Sequence, residues 1–561
     1  MRVAVLALAG TLAIVSQCFA AEQGPPAAAG GLSQPYYIWP RTGAQHVSLA
    51  GEWDLGWRDA AVRELSELDA GTEWFRATVP GSVHWALHRA GKLPHPYEGL
   101  NSRRYQWVDE KVWYYRKSFD VSAPASGGFA MLVFDGIDYY ARVWLNGTLL
   151  GEHEGMFGGP AAEVSKLLKP GAANEVVVEV RAGNWGRKAT WKSRELGTVI
   201  KPWVLAGGTG AEAFFTLGMW RAARLEMVPA THLERPFLVT ESASAEDATL
   251  SLTVEVLAGT HSLGRSLHPW DKLQLDSPAD FARLPARQGL SGGTTLRVDL
   301  TPVGETRAVV HEEWPLDLLE GRNWVTRKIK VARPKLWWPN GLGESARYTV
   351  NLTLVEKGTV RDGVSFTSGI RTVTTEPSAG PRTGDRWADW QFVVNGRRLF
   401  VKGVNWMPAD LLLDLPRDRY RWLLGLAKAA GIQMVRIWGA GLLETEEFYD
   451  IANELGIMVW QDFPVANQDT PDWPQPVWEA QVLQNIFRLR NHPALVLYCG
   501  GNEFNPYSRG NAATIGILGG GQLGRMLALA AAQLGFKCHV FAPNPDAPAF
   551  DVVHRVTVAD Y

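Results

Sequence analysis

The hydrophobic pattern of this chain changes its period near residue 392, and that change limits the folds open to it. Up to Phe392-Val393-Val394-Asn395-Gly396 the chain reads as short alternating strands separated by turn residues. Beyond that point apolar runs alternate with amphipathic stretches of helical length. The first pattern builds antiparallel sandwiches and the second builds parallel βα units, so the chain is a multidomain protein, β first and α/β after. Residues 399–404, 433–438, 457–460 and 495–499 read as four parallel strands, with helices predicted over residues 417–430, 443–455 and 477–490. Gly456 stops the second of these helices, whose first turn is expected to hold Glu444, Glu446 and Glu447, where the helix dipole favours acids.

In a (β/α)8 barrel the chemistry sits at the C-terminal ends of the strands. Here those ends carry Asn405-Trp406, Arg436 with Trp438-Gly439, Gln461-Asp462 and Asn502-Glu503. Glu503 comes after the apolar run Leu495-Val496-Leu497-Tyr498 and a Gly500-Gly501 turn. A strand that delivers a carboxyl group to a partly desolvated rim raises its pKa, which suits a general acid. Alone, an Asn-Glu pair after a strand is also a helix cap or a turn. Recurrence of polar groups at all four strand ends favours the catalytic assignment.

Two sandwiches are expected before the barrel. Residues 36–229 alternate as in Ala141-Arg142-Val143-Trp144-Leu145, and Asn146-Gly147 is a tight-hairpin signal. Asn146-Gly147-Thr148 also spells a glycosylation sequon, but the hairpin takes precedence. Residues 230–375 continue the pattern at the length of an immunoglobulin-like sandwich. The 25 Trp offer flat faces for sugar rings, although most are expected in cores and between domains, Trp337-Trp338 among them. Lys+Arg (56) and Asp+Glu (58) nearly cancel, so no global field points to nucleic acid or an anionic membrane. Three dispersed Cys support neither a disulfide framework nor a metal cluster, and no metal or cofactor is expected. Residues 1–21 read as an export signal too short to span a bilayer, followed by a Pro/Gly/Ala-rich leader over 22–35, so a secreted or periplasmic location is expected.

Several strings, in order, resemble glycoside hydrolase family two, the family of β-galactosidases, β-glucuronidases and β-mannosidases. They are Leu49-Ala50-Gly51-Glu52-Trp53, Val79-Pro80-Gly81, Trp113-Tyr114-Tyr115-Arg116, Phe134-Asp135-Gly136, Leu217-Gly218-Met219-Trp220-Arg221, Leu336-Trp337-Trp338-Pro339-Asn340-Gly341 and Arg490-Asn491-His492-Pro493. The resemblance implies a jelly-roll sugar-binding sandwich, an immunoglobulin-like sandwich and a barrel. It further implies that Glu503 is the acid/base of a retaining enzyme and that Asn502 contacts the sugar hydroxyl beside the anomeric carbon. Arg436-Ile437-Trp438-Gly439 and Trp460-Gln461-Asp462-Phe463 look most like the β-mannosidase and exo-β-glucosaminidase side, which makes Trp438, Asp462, Arg436 and Asn405 expected substrate contacts. The substrate class implied is a terminal β-linked sugar. The Trp-Asp-Trp-Gly-Pro element of β-mannosidases is absent between Trp203 and Trp220, which leaves the glycone open.

The family's nucleophile is a Glu after the seventh strand. Residues 376–513 hold only the front half of a barrel, against roughly 250 residues for a whole one. Residues 514–561 then read as a strand, a Gly519-x-Gly521-x-x-Gly524 turn and an Ala/Leu-rich helix, a Rossmann-like βαβ fragment suited to close backbone approach to a phosphate. With Ala542-Pro543-Asn544-Pro545-Asp546 this segment resembles the start of N5-carboxyaminoimidazole ribonucleotide synthase, an ATP-grasp enzyme, and ends before that family's catalytic parts. The expectation is a join between residues 508 and 519 of two parents, a glycosidase fragment without turnover. A carbohydrate-binding protein without catalysis and a purine-pathway ligase fragment are the alternatives.

Overall fold

The computed structural model describes residues 37–42, 45–122, 127–182, 215–259, 292–377, 390–464 and 476–502. It also describes Leu32, Pro124 and Gly289 and, beyond residue 513, chiefly residues 514–518, 537–542, 546–553 and 555–558. The expected export signal, the phosphate-loop glycines Gly519, Gly521 and Gly524, and Glu503 all lie outside the described residues.

The first sandwich faces a six-stranded antiparallel sheet with a four-stranded one. Its larger sheet runs Phe75–Val79, Gly51–Arg58, Val112–Phe119, Asn174–Arg181, Tyr140–Leu145, Thr148–Glu154. Between the sheets lie Trp53, Trp113, Tyr115, Leu132, Val143, Val178 and Leu225, all buried. Asn174–Arg181 is buried on both faces, because Val177 packs with Tyr114, Trp144, Val62 and Leu68 on the outer side. Asn146 takes φ +50 in its hairpin, and its amide donates to Leu167 O at 2.7 Å and Asn174 Oδ1 at 2.9 Å. The sequon's acceptor nitrogen is therefore already engaged in the turn.

The second sandwich sets a three-stranded sheet, His232–Ala243, Asp247–Ala258 and Gly321–Ala332, against a four-stranded one. In the latter Thr294–Pro302 alternates buried and half-buried at every residue, the period-two signature of a strand with one covered face. Core residues Leu250, Leu252, Val298, Leu300, Leu352 and Ile329 fill the space between the sheets.

A hairpin sheet of Val373–Pro377, Trp390–Val394 and Arg397–Leu399 leads into the parallel part. There β1 (Gly403–Trp406), β2 (Met434–Ile437), β3 (Met458–Asp462) and β4 (Leu495–Cys499) pair in that order, all parallel. Between them run α1 (Arg417–Ala429), α2 (Glu446–Leu455) and α3 (Pro476–Leu489). The arrangement is a partial barrel. Three expectations shift. The predicted strand 399–404 divides, its start belonging to the hairpin and its end to β1, because Asn395-Gly396, at φ +49 and +75, folds Arg397–Leu399 back on Trp390–Val394. The second helix starts at Glu446 after the N-cap Thr445, so Glu444 lies before it and is buried. The C-terminal segment carries three parallel strands, Thr514–Leu518, Lys537–Ala542 and Arg555–Val558, one more than a single βαβ unit.

The second sandwich docks on the outside of the partial barrel through Trp337. Its indole is fully buried and donates to Asn453 O of α2 at 2.8 Å. Gly456, which ends α2 at φ +72, carries no side chain where a Cβ would lie 2.8 Å from Trp338 O, and its own carbonyl accepts from Asn340 N at 2.8 Å. One glycine thus meets both the helix stop and the close approach of the second domain. Trp53, Trp113 and Trp220 likewise bury their rings and donate to backbone carbonyls, so packing takes these aromatic faces. We expect Trp337→Ala to cost about 3–5 kcal/mol and to lower the denaturation midpoint of the partial barrel, measured by urea unfolding. Trp324→Ala, at a ring 53% exposed, should stay within about 0.5 kcal/mol.

Candidate active site

The C-terminal ends of β2, β3 and β4 converge on one polar cluster. Arg436 is half-buried on β2 and reaches across β3, its Nη2 donating to Asp462 Oδ2 at 2.6 Å and to Asn502 Oδ1 at 3.0 Å. Its Nε lies 3.3 Å from Asp462 Oδ1, and its guanidinium sits 5.4 Å from the Trp460 ring centroid. Asp462 also accepts the Gly439 N–H at 3.2 Å. Burial pushes the Asp462 carboxyl up, and Arg436 opposes that shift by favouring the charged form. Asn502 is buried, next to Gly501 at φ +155. Three of the residues that the sequence offered as site residues therefore touch one another: Arg436, Asp462 and Asn502.

Two others stand apart from this cluster. Asn405 is exposed on β1; it pairs with Arg436 in strand register, but no hydrogen bond joins their side chains among the described residues. Trp438 is half-buried and packs into the apolar seam of Tyr139, Met156, Phe157, Trp220, Leu413, Leu443 and Phe463. That seam joins the first sandwich to the loops after β1, β2 and β3. Gln481 of α3 accepts the backbone N–H groups of Met156 and Phe157 at 3.2 and 2.8 Å, and a Cβ on Gly155, at φ +127, would lie 2.6 Å from its amide. Buried Asp410, after β1, accepts from Trp85 Nε1 at 3.3 Å, Tyr97 OH at 3.0 Å and Arg419 Nη1 at 2.8 Å. The first sandwich thus walls one side of the rim.

Sequence reasoning missed Glu444 and Asp410 as organisers of this end, and offered Gln461 as a polar group at the third strand's end. Glu444 is fully buried and accepts from Trp406 Nε1 at 2.9 Å and from the Tyr420 hydroxyl. Gln461 accepts from the Tyr449 hydroxyl and donates to Leu442 O at 3.3 Å. Burial drives the Glu444 carboxyl up to about 7, against the two hydrogen bonds, which favour its charged form. Glu446, two residues on, moves the other way: burial works against it, but Arg488 at 2.7 Å and His492 at 3.2 Å hold it well below the usual range. Among the described residues no group of three His, Cys, Asp or Glu is placed to hold a metal ion, and no helix is long and apolar enough to cross a membrane.

The Glu444 shift sets a pH dependence. Its folded pKa, about 7, exceeds the ordinary 4.5, so the folded state binds the proton more tightly. The contribution to stability is full below 4.5 and is lost as pH rises through 7, on the order of 3 kcal/mol in all. Glu444→Gln should therefore gain stability relative to the parent as pH rises from 5 to 8. Denaturant unfolding across that range checks this, and a pH-independent difference would exclude Glu444 as the titrating group.

Comparison with known proteins places these features. Residues 62–207 match the profile of the glycosyl hydrolase 2 galactose-binding domain-like family, and residues 281–371 match glycosyl hydrolases family 2. Residues 512–561 match the ribonucleotide synthetase preATP-grasp domain. The chain is 30% identical over 447 residues to beta-mannosidase B of Emericella nidulans, covering 76% of this chain and 48% of that protein. For beta-mannosidase B of Aspergillus terreus the figures are 31% over 448 residues, 76% and 48%. The chain thus spans about half the length of the curated relatives it matches. The crystal structure of a beta-D-mannosidase from Dictyoglomus thermophilum superposes with a TM-score of 0.64 at 27% identity, over 82% of this chain and 52% of that one. An exo-chitosanase from Amycolatopsis orientalis shares the fold at a TM-score of 0.60 and 19% identity, over 91% and 52%. Residues 62–207 and 281–371 thus carry domains of glycoside hydrolase family two, and residues 512–561 match a preATP-grasp domain.

Proposed function

We propose that residues 36–513 are the front part of a retaining, exo-acting β-glycosidase of the β-mannosidase type, secreted or periplasmic by the signal at residues 1–21. The observation that carries this is the Arg436–Asp462–Asn502 cluster at the C-terminal ends of three parallel strands, next in sequence to Glu503. Asn502, oriented by Arg436, presents its amide to the sugar hydroxyl beside the anomeric carbon. Glu503 donates a proton to the leaving oxygen and, in the second step, takes one from water. Asp462 is largely committed to Arg436 and Gly439, so its role is to hold the rim and only secondarily to meet the sugar. The wall formed by Met156, Phe157 and the Asp410 loop closes one side, which suits attack on chain ends.

The second carboxylate that retention requires would come after the seventh strand, and a polypeptide of these 561 residues does not supply it there. We read the chain as a join between residues 508 and 519; the preATP-grasp match begins at residue 512, within that interval. Residues 514–561 then belong to a Rossmann-like nucleotide-binding start, for which the sequence offers Gly519, Gly521 and Gly524 as phosphate-binding candidates.

The 561-residue polypeptide should not hydrolyse aryl β-mannosides or aryl β-glucosaminides. Turnover that disappears on Glu503→Gln would overturn the missing-nucleophile assignment. If genomic DNA beyond the codon of Ser508 continues through four more βα units with a rim Glu after the seventh strand, the restored enzyme should cleave one of these substrates. In that enzyme Glu503→Ala should lower kcat/KM by about 100- to 10,000-fold, with azide restoring turnover of activated aryl glycosides. A Glu503→Ala enzyme with unchanged kcat/KM would remove Glu503 from catalysis.

A further inference from the structure

Residues 37–42 form neither helix nor strand, yet Ile38, Trp39 and Arg41 are buried. Ile38 packs with Phe129, Met131, Val133, Ala161 and Val228 of the first sandwich. Its neighbour Trp39 joins the core of the second sandwich and meets Phe366 edge-on, the ring centroids 5.4 Å apart. Two adjacent residues thus plug two different domains. The polar contacts divide in the same way. Ile38 O accepts from Arg224 of the first sandwich at 2.6 Å, and Arg41 N donates to Glu226 at 2.9 Å. The Arg41 side chain turns to the second sandwich, donating to Leu233 O at 2.6 Å and Asp362 at 3.0 Å, and Thr42 N donates to Gly363 O at 3.1 Å. Gly363 lies on Thr359–Ser368, the outermost strand of its four-stranded sheet. A Cβ there would stand 2.5 Å from Thr42 Oγ1, so the glycine leaves room for the segment. Trp39 sits by Phe366, Thr42 by Gly363, and Gln45 donates to Arg361 O at 3.2 Å, so the chain runs antiparallel to that edge. His46–Ser48 is then the outermost strand of the first sandwich's four-stranded sheet, paired with Ala223–Val228.

We propose that residues 37–42 are a strap that opens and closes as one unit and couples the two sandwiches across their seam. Closed, it covers the edge of one sheet through Thr42 and Trp39 and fills the flank of the other through Ile38. Partial opening is disfavoured. If Arg41 withdraws while Ile38 stays seated, the fully buried Asp362 carboxylate, which also accepts Leu233 N at 2.7 Å, is left without its guanidinium. Both domains therefore lose their hold on the segment in the same event, as a cooperative unit of local opening. Coupling of this kind is reciprocal: a change on either sandwich is felt on the other. The strap precedes the partial barrel in the chain and uses neither the rim nor any residue after β4, so it stands apart from the proposed glycosidase chemistry.

Hydrogen–deuterium exchange on the full chain, read by mass spectrometry, tests this. Gly363→Val suits a strand and leaves every strap residue intact, but its side chain takes the place of Thr42. Exchange should rise by about 10-fold or more in residues 37–42 and, on the first sandwich, in residues 46–49. Ile38→Ala should act in the other direction and raise exchange in residues 359–368 of the second sandwich. The interior strands Asp247–Ala258 and Asn174–Arg181 should keep the parent's rates in both variants. Should Gly363→Val fail to fold, Ile38→Ala alone decides. If Gly363→Val loosens only the second sandwich and Ile38→Ala only the first, residues 37–42 are two independent anchors and the proposal falls. Interior strands that loosen to the same extent in both variants, or exchange unchanged in both, overturn it as well.

Discussion

A line of buried charges fixes the three folded parts against one another, and the geometry of the rim depends on it. Arg224 in the first sandwich is buried and binds Glu226 at 2.7 Å, Asp135 and Ile38 O. Glu226 accepts the backbone N–H of Arg41 at 2.9 Å, and the Arg41 guanidinium passes to Leu233 O at 2.6 Å and to Asp362 of the second sandwich at 3.0 Å. From there Arg235 binds Glu255 at 2.8 Å, while its carbonyl accepts from Arg490, at the end of α3, at 2.6 Å. Asn491 accepts from Leu238 N and donates to Pro236 O. Removing one partner of such a pair leaves a buried charge uncompensated, a cost of about 3–5 kcal/mol, whereas apolar replacement of the whole set is often neutral. The network therefore secures a single arrangement of domains more than it secures stability.

That arrangement decides where the wall of the candidate site stands. Residues 490–491 lead directly into β4, so the same connection that anchors the second sandwich sets the height at which Asn502 emerges. At the other end of α3, Gln481 and Asn485 hold Met156 and Phe157 of the first sandwich. One helix is thus gripped by both sandwiches and leads into β4. Glu234, in the middle of the junction, has its carboxyl pushed up to about 7 by burial, against the attraction of Arg41.

The apolar periodicities made most of the architecture legible. Thr294–Pro302 and Tyr348–Glu356 alternate in the structure as they do in the sequence, and Asn146-Gly147 marks a real hairpin. β2, β3 and β4 fall within a residue or two of the predicted strands. Of the site, Arg436, Asp462 and Asn502 were legible because a parallel barrel concentrates function at strand ends. Buried charge was not. A pattern argument sends Glu444 to the exposed first turn of a helix, since nothing local distinguishes it from Glu446 and Glu447. Its partners, Trp406 and Tyr420, come from β1 and α1 at separations of 38 and 24 residues, and only the tertiary fold brings them together. Asp410 was missed for the same reason: Trp85 and Tyr97 lie more than three hundred residues away.

Stability and chemistry separate along this chain because their physical requirements differ in range. Everything described that positions Asn502 is encoded before it: Arg436, Asp462, the Gln481 clamp, the Arg41 junction and the Trp337 dock. These contacts are made by β1 to β4, the helices between them and the two sandwiches. Retention of configuration asks for something else, two carboxylates about 5–5.5 Å apart across the sugar, which strands on one side of a barrel cannot provide alone. The described residues therefore hold Asn502 and the Arg436–Asp462 ion pair behind it in one arrangement, fixed by contacts that all precede Asn502 in the chain.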